Sequence, residues 1–339
     1  MANSPFPPCA QPAPSLPNGL LNTFPRQRVL VIGDIVADEY LYGETDRISR
    51  EAPVLIVRYE SSVVKLGGAG NAAANLRALG AEVSMLGIVG KDAMGDAVRA
   101  EAERQGIRLV TPSPEGLTTE TKTRVLAGGR NTRRQQMLRI DRGQKKLLPE
   151  AEEALAALVR REAENCGAIL VSDYGAGVLN QRVIDEVLSL AAAGKLVCVD
   201  SRYDLSAFTG ATLLKPNESE FEALAGVHAP DEAQLAKVIQ ATRKRMRVRA
   251  LLVTRGSSGM VLATEDGCLT IPAYGTHETV DVTGAGDTVA ATLALALAAG
   301  ASFAQAAQLA NIAGALKVRK AGTVTVSRGE LAQEMECPS

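Results

Sequence analysis

The sequence predicts an α/β fold: a mainly parallel central sheet with helices on both faces, and a small antiparallel β lid beside it. Two observations point there. Short β-branched runs alternate with helical patterns from residue 28 onward, which is the rhythm of βαβ units. Two regions, about 40–66 and 118–141, break that rhythm with strand-like runs and no helix between them.

The elements follow in chain order. Residues 1–25 carry seven Pro and no Lys or Arg. A secretory signal needs a basic start and an apolar core, so this stretch is expected to be a disordered Pro-rich tail. Val-Leu-Val-Ile at 29–32 reads as the first strand. In the first break, Tyr-Leu-Tyr at 40–42 and Val-Leu-Ile-Val at 54–57 are strand-like. A helix is expected at 71–79, a strand at 83–88 and a helix at 93–104. In the second break, 121–126 and 136–140 flank a Gly128-Gly129 turn, the pattern of a hairpin. Such a lid could shield a site from water, or serve as decoration or a dimer contact. Residues 169–171 read as a strand before a helix at 182–193. Residues 196–199 and 213–214 read as strands before a helix that starts near Ser219. Residues 251–253 precede a further hairpin. The uncharged stretch 289–316 is broken by Gly300-Ala301-Ser302 and diluted by Gln305, Gln308 and Asn311. A spanning helix needs about 20 mainly apolar residues in one run, so two buried helices are expected. One folded domain should occupy 26–330, with 331–339 a C-terminal tail.

Composition removes several function classes. A net charge of -1 gives no global positive field for nucleic acid. Aromatic residues make up 3% with no Trp, which argues against a base-stacking platform. Two His leave little for a zinc site or a Ser-His-Asp triad. Five scattered Cys with no Cys-x-x-Cys pair read as reduced thiols of a cytoplasmic protein.

The most informative segment is Asp281-Val282-Thr283-Gly284-Ala285-Gly286-Asp287-Thr288, followed at once by a helical run. Small residues let backbone N–H groups approach an anion, and a helix start supplies unpaired N–H groups and a positive dipole end. Gly284, Ala285 and Gly286 therefore suit charge developing on a transferred phosphoryl group. Asp287, at the mouth, can accept a proton from an attacking hydroxyl. The plainer alternative is that Asp287 only caps a helix after a glycine turn. Gly67-Gly68-Ala69-Gly70-Asn71 also enters a helix. It contains a Gly-x-Gly-x-x-Ala match, so a dinucleotide-binding turn must be weighed. Its strand is short and does not open the fold, which favours a glycine turn whose backbone and Asn71 amide meet sugar hydroxyls. No Gly-x-x-x-x-Gly-Lys-Ser/Thr motif occurs.

Gly67 to Asn71, Asn217-Glu218-Ser219-Glu220 and Asp281 to Asp287, in that order and spacing, resemble the PfkB (ribokinase-like) carbohydrate-kinase family over about 26–330. The resemblance implies a ribokinase-like three-layer fold and ATP-dependent phosphorylation of a sugar, with Asp287 as base. It implies Asn217 and Glu220 organising Mg²⁺ and the ATP phosphates through water; a helix cap with a first-turn acid is the plainer reading. It implies a nucleotide-side loop at Thr254-Arg255-Gly256, Asn311 near adenine, and a monovalent-cation site, of the kind that takes K⁺, at Asp281 with the backbone near Gly322 and Ser327. Asp34 and Asp38, at the end of the first strand, are expected on sugar hydroxyls, and the resemblance puts the first of them there. A solvated turn is the alternative.

A finer likeness is to the heptose-7-phosphate kinases. It is carried by Tyr42-Gly43, the run from Arg47 to Val54, Thr121-Lys122-Thr123-Arg124-Val125, Leu138-Arg139-Ile140-Asp141 and Ser172-Asp173-Tyr174-Gly175. It implies D-glycero-β-D-manno-heptose 7-phosphate as acceptor and the 1,7-bisphosphate as product, within lipopolysaccharide core synthesis, with Asp173 among the substrate contacts. Arg50 stands where that group often has Pro, and no fused nucleotidyltransferase domain is present, so adenylylation is expected of a separate enzyme. Lys122 and Arg124, two apart on a strand, share a face, and Arg130, Arg133, Arg134 and Arg139 follow. Arg forks suit phosphate oxygens, although a solvated hairpin face would look the same. Exposed inserted strands suggest a homodimer through paired lids. Neither nucleic acid nor membrane is expected as a partner.

Overall fold

The computed structural model describes residues 16–17, 19–112, 116–129, 134–143, 149–227, 232–275 and 279–336. In chain order the elements are α1 (Leu20–Thr23), β1 (Arg28–Gly33), β2 (Ile35–Ile48), β3 (Leu55–Gly68), α2 (Ala69–Ala78), β4 (Glu82–Leu86), α3 (Ala93–Arg104), β5 (Arg108–Val110), β6 (Thr121–Gly128) and β7 (Gln135–Arg142). Next come α4 (Pro149–Ala163), β8 (Ala168–Asp173), α5 (Gln181–Ala192), β9 (Leu196–Ser201), β10 (Leu213–Leu214) and α6 (Glu218–Ala225). The chain ends with α7 (Glu232–Arg245), β11 (Ala250–Thr254), β12 (Met260–Thr264), β13 (Gly267–Ile271), α8 (Ala285–Ala298), α9 (Phe303–Val318) and α10 (Arg328–Glu336).

The main sheet has the order β13-β12-β11-β10-β9-β8-β1-β4-β5. Every pairing from β5 to β11 is parallel, and β12 alone runs against its neighbours. Strand β1 shows why the layers are three. Its near-continuous apolar run is buried on both faces, as a central parallel strand must be. Alternate residues serve opposite cores: Val29 and Val31 pack with Leu76, Leu293 and Leu309 on one side. Leu30 and Ile32 pack with Leu155, Val183 and Ile239 on the other.

Order within the sheet places the site. From β1 the chain moves outward to β4 and β5, then returns to β8 on the other side of β1 and continues outward to β11. The switch point falls between β1 and β8, and ligands of such sheets bind beyond the carboxyl ends of the strands at that point. The two strands meet closely there. A Cβ on Gly33 would lie 1.9 Å from the Ser172 carbonyl oxygen, so no larger residue fits.

The second sheet has the order β3-β2-β6-β7. Both of its hairpins are antiparallel as expected, and the β2–β6 seam that joins them is parallel. Strand β2 begins at Ile35, only one residue after β1 ends, so the lid grows directly from the switch point.

Both expected domain ends shift. Leu20, Leu21 and Phe24 are buried in the core, so the 1–25 tail is too long; residues 1–15 and 18 lie outside the described residues. At the other end α10 packs with Leu331 fully buried, so the fold continues past 330 into the stretch read as a tail. The uncharged stretch forms α8 and α9, and no helix among the described residues is long and apolar enough to cross a membrane. Cys166, Cys198 and Cys268 are free thiols, while Cys9, Cys337 and both His lie outside the described residues.

Candidate active site

Helices α3, α5, α6 and α9 are each capped by a side chain: Asp92, Asn180, Asn217 and Ser302. Helix α8 is different. Its first flanking residue, Gly284, takes a left-handed φ of 78° and offers no side-chain cap. Ala285 donates its N–H to the Val282 carbonyl at 3.1 Å, so it does not join the anion hole as expected. The N–H groups of Gly284, Gly286 and Asp287 have no acceptor among the described residues. They are the donors a phosphoryl oxygen would take.

Asp287 sits in the first turn of α8 and is 5% exposed. Tyr174 donates its hydroxyl to Oδ1 at 2.7 Å, and Asn71 donates its amide to Oδ2 at 2.6 Å. Burial first, then the nearby Asp200 charge, push the Asp287 carboxyl up to about 6, against those two hydrogen bonds and Arg202. That value suits a general base at neutral pH. The plain capping role does not apply, since the Asp287 carboxylate faces Tyr174 and Asn71. Asn71 is in turn fixed from behind: Asn75 donates to its carbonyl at 2.8 Å, and Thr288 donates to the Asn75 side chain at 2.8 Å. Helices α2 and α8 are therefore laced together at their starts. Asn71 thus orients Asp287, where the sequence reading gave its amide to sugar hydroxyls.

Tyr174 is a site residue whose role sequence reasoning missed. Burial, then the Asp287 charge, push its phenol well up, so it keeps its proton and donates. The Arg202 guanidinium stacks on its ring at 4.3 Å and donates to its oxygen at 3.2 Å. Lys122 approaches the same ring at 5.5 Å. Lys215 is also new. Its ammonium pairs with Asp200 at 3.1 Å, with the lysine side chain only 5% exposed. A Cβ on Gly286 would stand 3.9 Å from Nζ, so this charge lies against the open start of α8.

Two carboxylates expected on the sugar part company. Asp34 is 1% exposed, and its oxygens accept from the N–H groups of Tyr174, Ala176 and Val178 at 2.7, 3.1 and 3.1 Å. It pins the loop that carries Tyr174, which corrects its assignment to substrate. Asp38 lies in β2 and pairs with Arg124 at 2.6 Å. A Cβ on Gly67 would come within 2.5 Å of the Asp38 carboxylate, and one on Gly68 within 2.3 Å of the Asp34 carbonyl. Both glycines are thus required for close approach at the switch point. Asp173 accepts from Ser201 at 2.6 Å and from the Gly175 N–H at 3.0 Å. It shapes the same loop and the end of β9.

Arg124 and Arg139 stand opposite each other in the β6–β7 register. Arg139 is about half exposed and pairs with Asp141 at 2.8 Å; such a pair contributes about 0–1 kcal/mol and leaves the fork free to exchange. Arg134 pairs with Glu60. Arg130 and Arg133 lie outside the described residues.

Asn217 and Glu220 form a capping box, each side chain accepting from the other's backbone N–H at 2.8 Å. The plainer reading of this pair is therefore realised. It still leaves the Asn217 amide and one Glu220 oxygen. Burial, with Asp200 adding, holds the Glu220 carboxyl above its ordinary range despite the Asn217 N–H. Asn217 bridges to Thr254 at the end of β11, and Gly256 turns with φ 54° just beyond. Asn311 donates its amide to the Pro272 carbonyl at 2.7 Å, tying α9 to the end of β13 where a base contact was expected. Asp281 accepts from the N–H groups of Thr283 and Gly322 at 2.9 and 2.7 Å. No cluster of three or more His, Cys, Asp or Glu suited to a metal ion occurs among the described residues.

A family model described as pfkB family carbohydrate kinase matches residues 26–328. The bifunctional protein HldE of Caulobacter vibrioides is 43% identical over 320 residues, covering 92% of this chain and 64% of its own length. The D-beta-D-heptose 7-phosphate kinase of Bordetella bronchiseptica is 41% identical over 311 residues, covering 91% of this chain and 96% of its own. The chain thus spans a little under two thirds of the bifunctional relative. Among solved structures, Escherichia coli phosphofructokinase-2 in complex with potassium aligns with a TM-score of 0.75 at 19% identity, covering 91% of this chain and 97% of that one. Arabidopsis thaliana ribokinase complexed with ribose and ATP aligns with a TM-score of 0.66 at 22% identity, with the same coverage. At those identities the likeness is one of fold.

Proposed function

Because the chain belongs to the pfkB family of carbohydrate kinases, we propose that it transfers the γ-phosphate of ATP to the C1 hydroxyl of D-glycero-β-D-manno-heptose 7-phosphate. The observation that carries the kinase reading is a buried carboxylate at the open start of α8. Asp287 is oriented by two donors, and unclaimed N–H groups lie beside it. The relatives that are about 40% identical and the basic lid face favour the phosphorylated heptose.

In the proposed reaction the acceptor hydroxyl approaches Asp287, whose carboxylate keeps lone pairs beyond those taken by Tyr174 and Asn71. The hydroxyl proton passes to Asp287 as its oxygen bonds to the γ-phosphorus, and the bond to the β-phosphate oxygen breaks. Charge on the equatorial oxygens meets the N–H groups of Gly286 and Asp287 and the Lys215 ammonium. The remaining Glu220 oxygen is a donor that suits Mg²⁺ and through water would hold it, with the Asn217 amide free to donate to the phosphates; bound there, the ion would neutralise phosphate charge. Thr254 and Gly256 flank the nucleotide side. Asp38, Gly67, Lys122, Arg124 and Arg139 face the sugar phosphate.

An ADP-release assay over a panel of sugars tests the acceptor. The heptose 7-phosphate is expected to give the highest kcat/KM, with a 1,7-bisphosphate product. Preference for ribose, fructose or another unphosphorylated sugar would overturn it.

The lid supports a homodimer. Ile48 and Leu55 pair at one end of the β2–β3 hairpin, and Leu138 and Ile140 lie on the edge strand β7, at 64, 50, 54 and 44% exposed; exposed apolar edge strands invite pairing with a second copy. Light scattering is expected to give a dimer, and Leu138→Asp a monomer. A monomeric wild type would remove this reading.

A further inference from the structure

Lys317 closes the last turn of α9 and is 1% exposed. Phosphoryl transfer at the α8 start does not use it. An ammonium out of water is costly unless acceptors and opposite charge surround it. Its Nζ donates to the Lys320 carbonyl at 3.3 Å. The carbonyl end of α9 adds the negative pole of a helix. Burial lowers the Lys317 pKa, and the Asp281 carboxylate opposes that fall. Asp281 in turn is held below its ordinary range: burial works against it, but the Thr283 and Gly322 N–H groups and the Lys317 charge outweigh that.

This cluster is coupled to the anion hole. Val280 and Asp281 donate their N–H groups to the Val318 carbonyl at 2.8 and 3.1 Å. Asp281 then grips Thr283 and Gly322. The segment that leads into Gly284 therefore hangs on the end of α9, and the position of the phosphate-binding N–H groups depends on how firmly that end is tied.

A carboxylate, a helix carbonyl end and a loop carbonyl together form the surroundings a bound monovalent cation would take. The sequence reading put one here, on Asp281 with the backbone near Gly322 and Ser327. The residues present do not fit that ion. An ammonium already takes the Lys320 carbonyl, and a second positive charge beside it would be repelled. We infer that the Lys317 ammonium stands in for a monovalent cation, so that the loop feeding the anion hole is held by a built-in charge and the protein needs no K⁺.

The inference concerns the loop and holds whichever sugar is the acceptor. Full-length protein is placed in tetramethylammonium chloride and exchanged stepwise into KCl at constant ionic strength. Melting temperature and ADP release are read together. For the wild type, neither is expected to show saturable K⁺ dependence, with a rate change under about twofold. For Lys317→Met, K⁺ is expected to raise the melting temperature saturably by binding linkage and to raise the rate about tenfold or more. Saturable stabilisation of the wild type by K⁺ overturns the inference, as does a folded Lys317→Met that ignores K⁺ in both readouts. If Lys317→Met does not fold, the wild-type melting series decides alone. Because melting needs no turnover, a wrong acceptor leaves this result readable.

Discussion

Asp287→Asn is expected to remove turnover while ATP still binds. General-base assistance contributes about 10²–10⁴-fold, and no other carboxylate among the described residues touches the Tyr174 hydroxyl and the Asn71 amide. The wild-type pH profile should share the cause. Burial and the Asp200 charge raise the folded-state value to about 6, so the base is lost as pH falls through 6, and kcat/KM should drop about tenfold per unit below it. The sign for stability is the reverse. A carboxyl whose folded pKa lies above its unfolded value favours folding when protonated, and that contribution is lost as pH rises through 6. At pH 7 the uncharged Asn carries no burial cost for charge, but its single oxygen can accept from only one of Tyr174 and Asn71, so the two effects oppose and the melting temperature should change little. Calorimetry with ATP, melting temperature and single-turnover ADP release check the three parts. Near-normal release by a folded Asp287→Asn would overturn the assignment of the base.

How much of this was legible in the sequence depends on whether the signal was local. Helix α3 was read to the residue, and the structure caps its start with Asp92 and buries Val98 and Ala102 on one face. Helices α8 and α9 emerged from one uncharged run because Gly300 divides it. Helices α4, α7 and α10 were missed: they are polar, and each buries only a narrow stripe, in α10 chiefly Leu331. Asp287 was legible as a candidate base because it sits in its own glycine motif. Its partners were not, since Tyr174 and Asn71 lie 113 and 216 residues away. Asp34 and Asp38 were indistinguishable as two acids after a strand. Only the fold decides that backbone N–H groups consume the first. Asn217 and Glu220 show a different limit, because a capping box and a ligand pair share one spacing. Lys215 gave no signal at all, since a single buried lysine has no period.

That lysine carries the second large expectation. Lys215→Met should lower kcat by about 10²–10³-fold, the loss seen when a donor aimed at developing charge is removed. Its ammonium lies at the open start of α8 and is shielded from water, so its field there is stronger than an exposed charge could give. A second effect follows from its partner. Asp200 is neutralised by Lys215 at 3.1 Å, yet already raises the Asp287 carboxyl. Without Lys215 the Asp200 charge acts unopposed on Asp287, and the acid limb of the rate profile should move to higher pH. A lysine that only braced β10 against β9 would change melting temperature and leave that limb in place. Methionine keeps the length and fills the space, so loss of packing is small. A variant with kcat within about tenfold of the wild type and an unmoved acid limb would show that Lys215 is structural. The phosphoryl charge would then rest on the helix N–H groups and the metal alone.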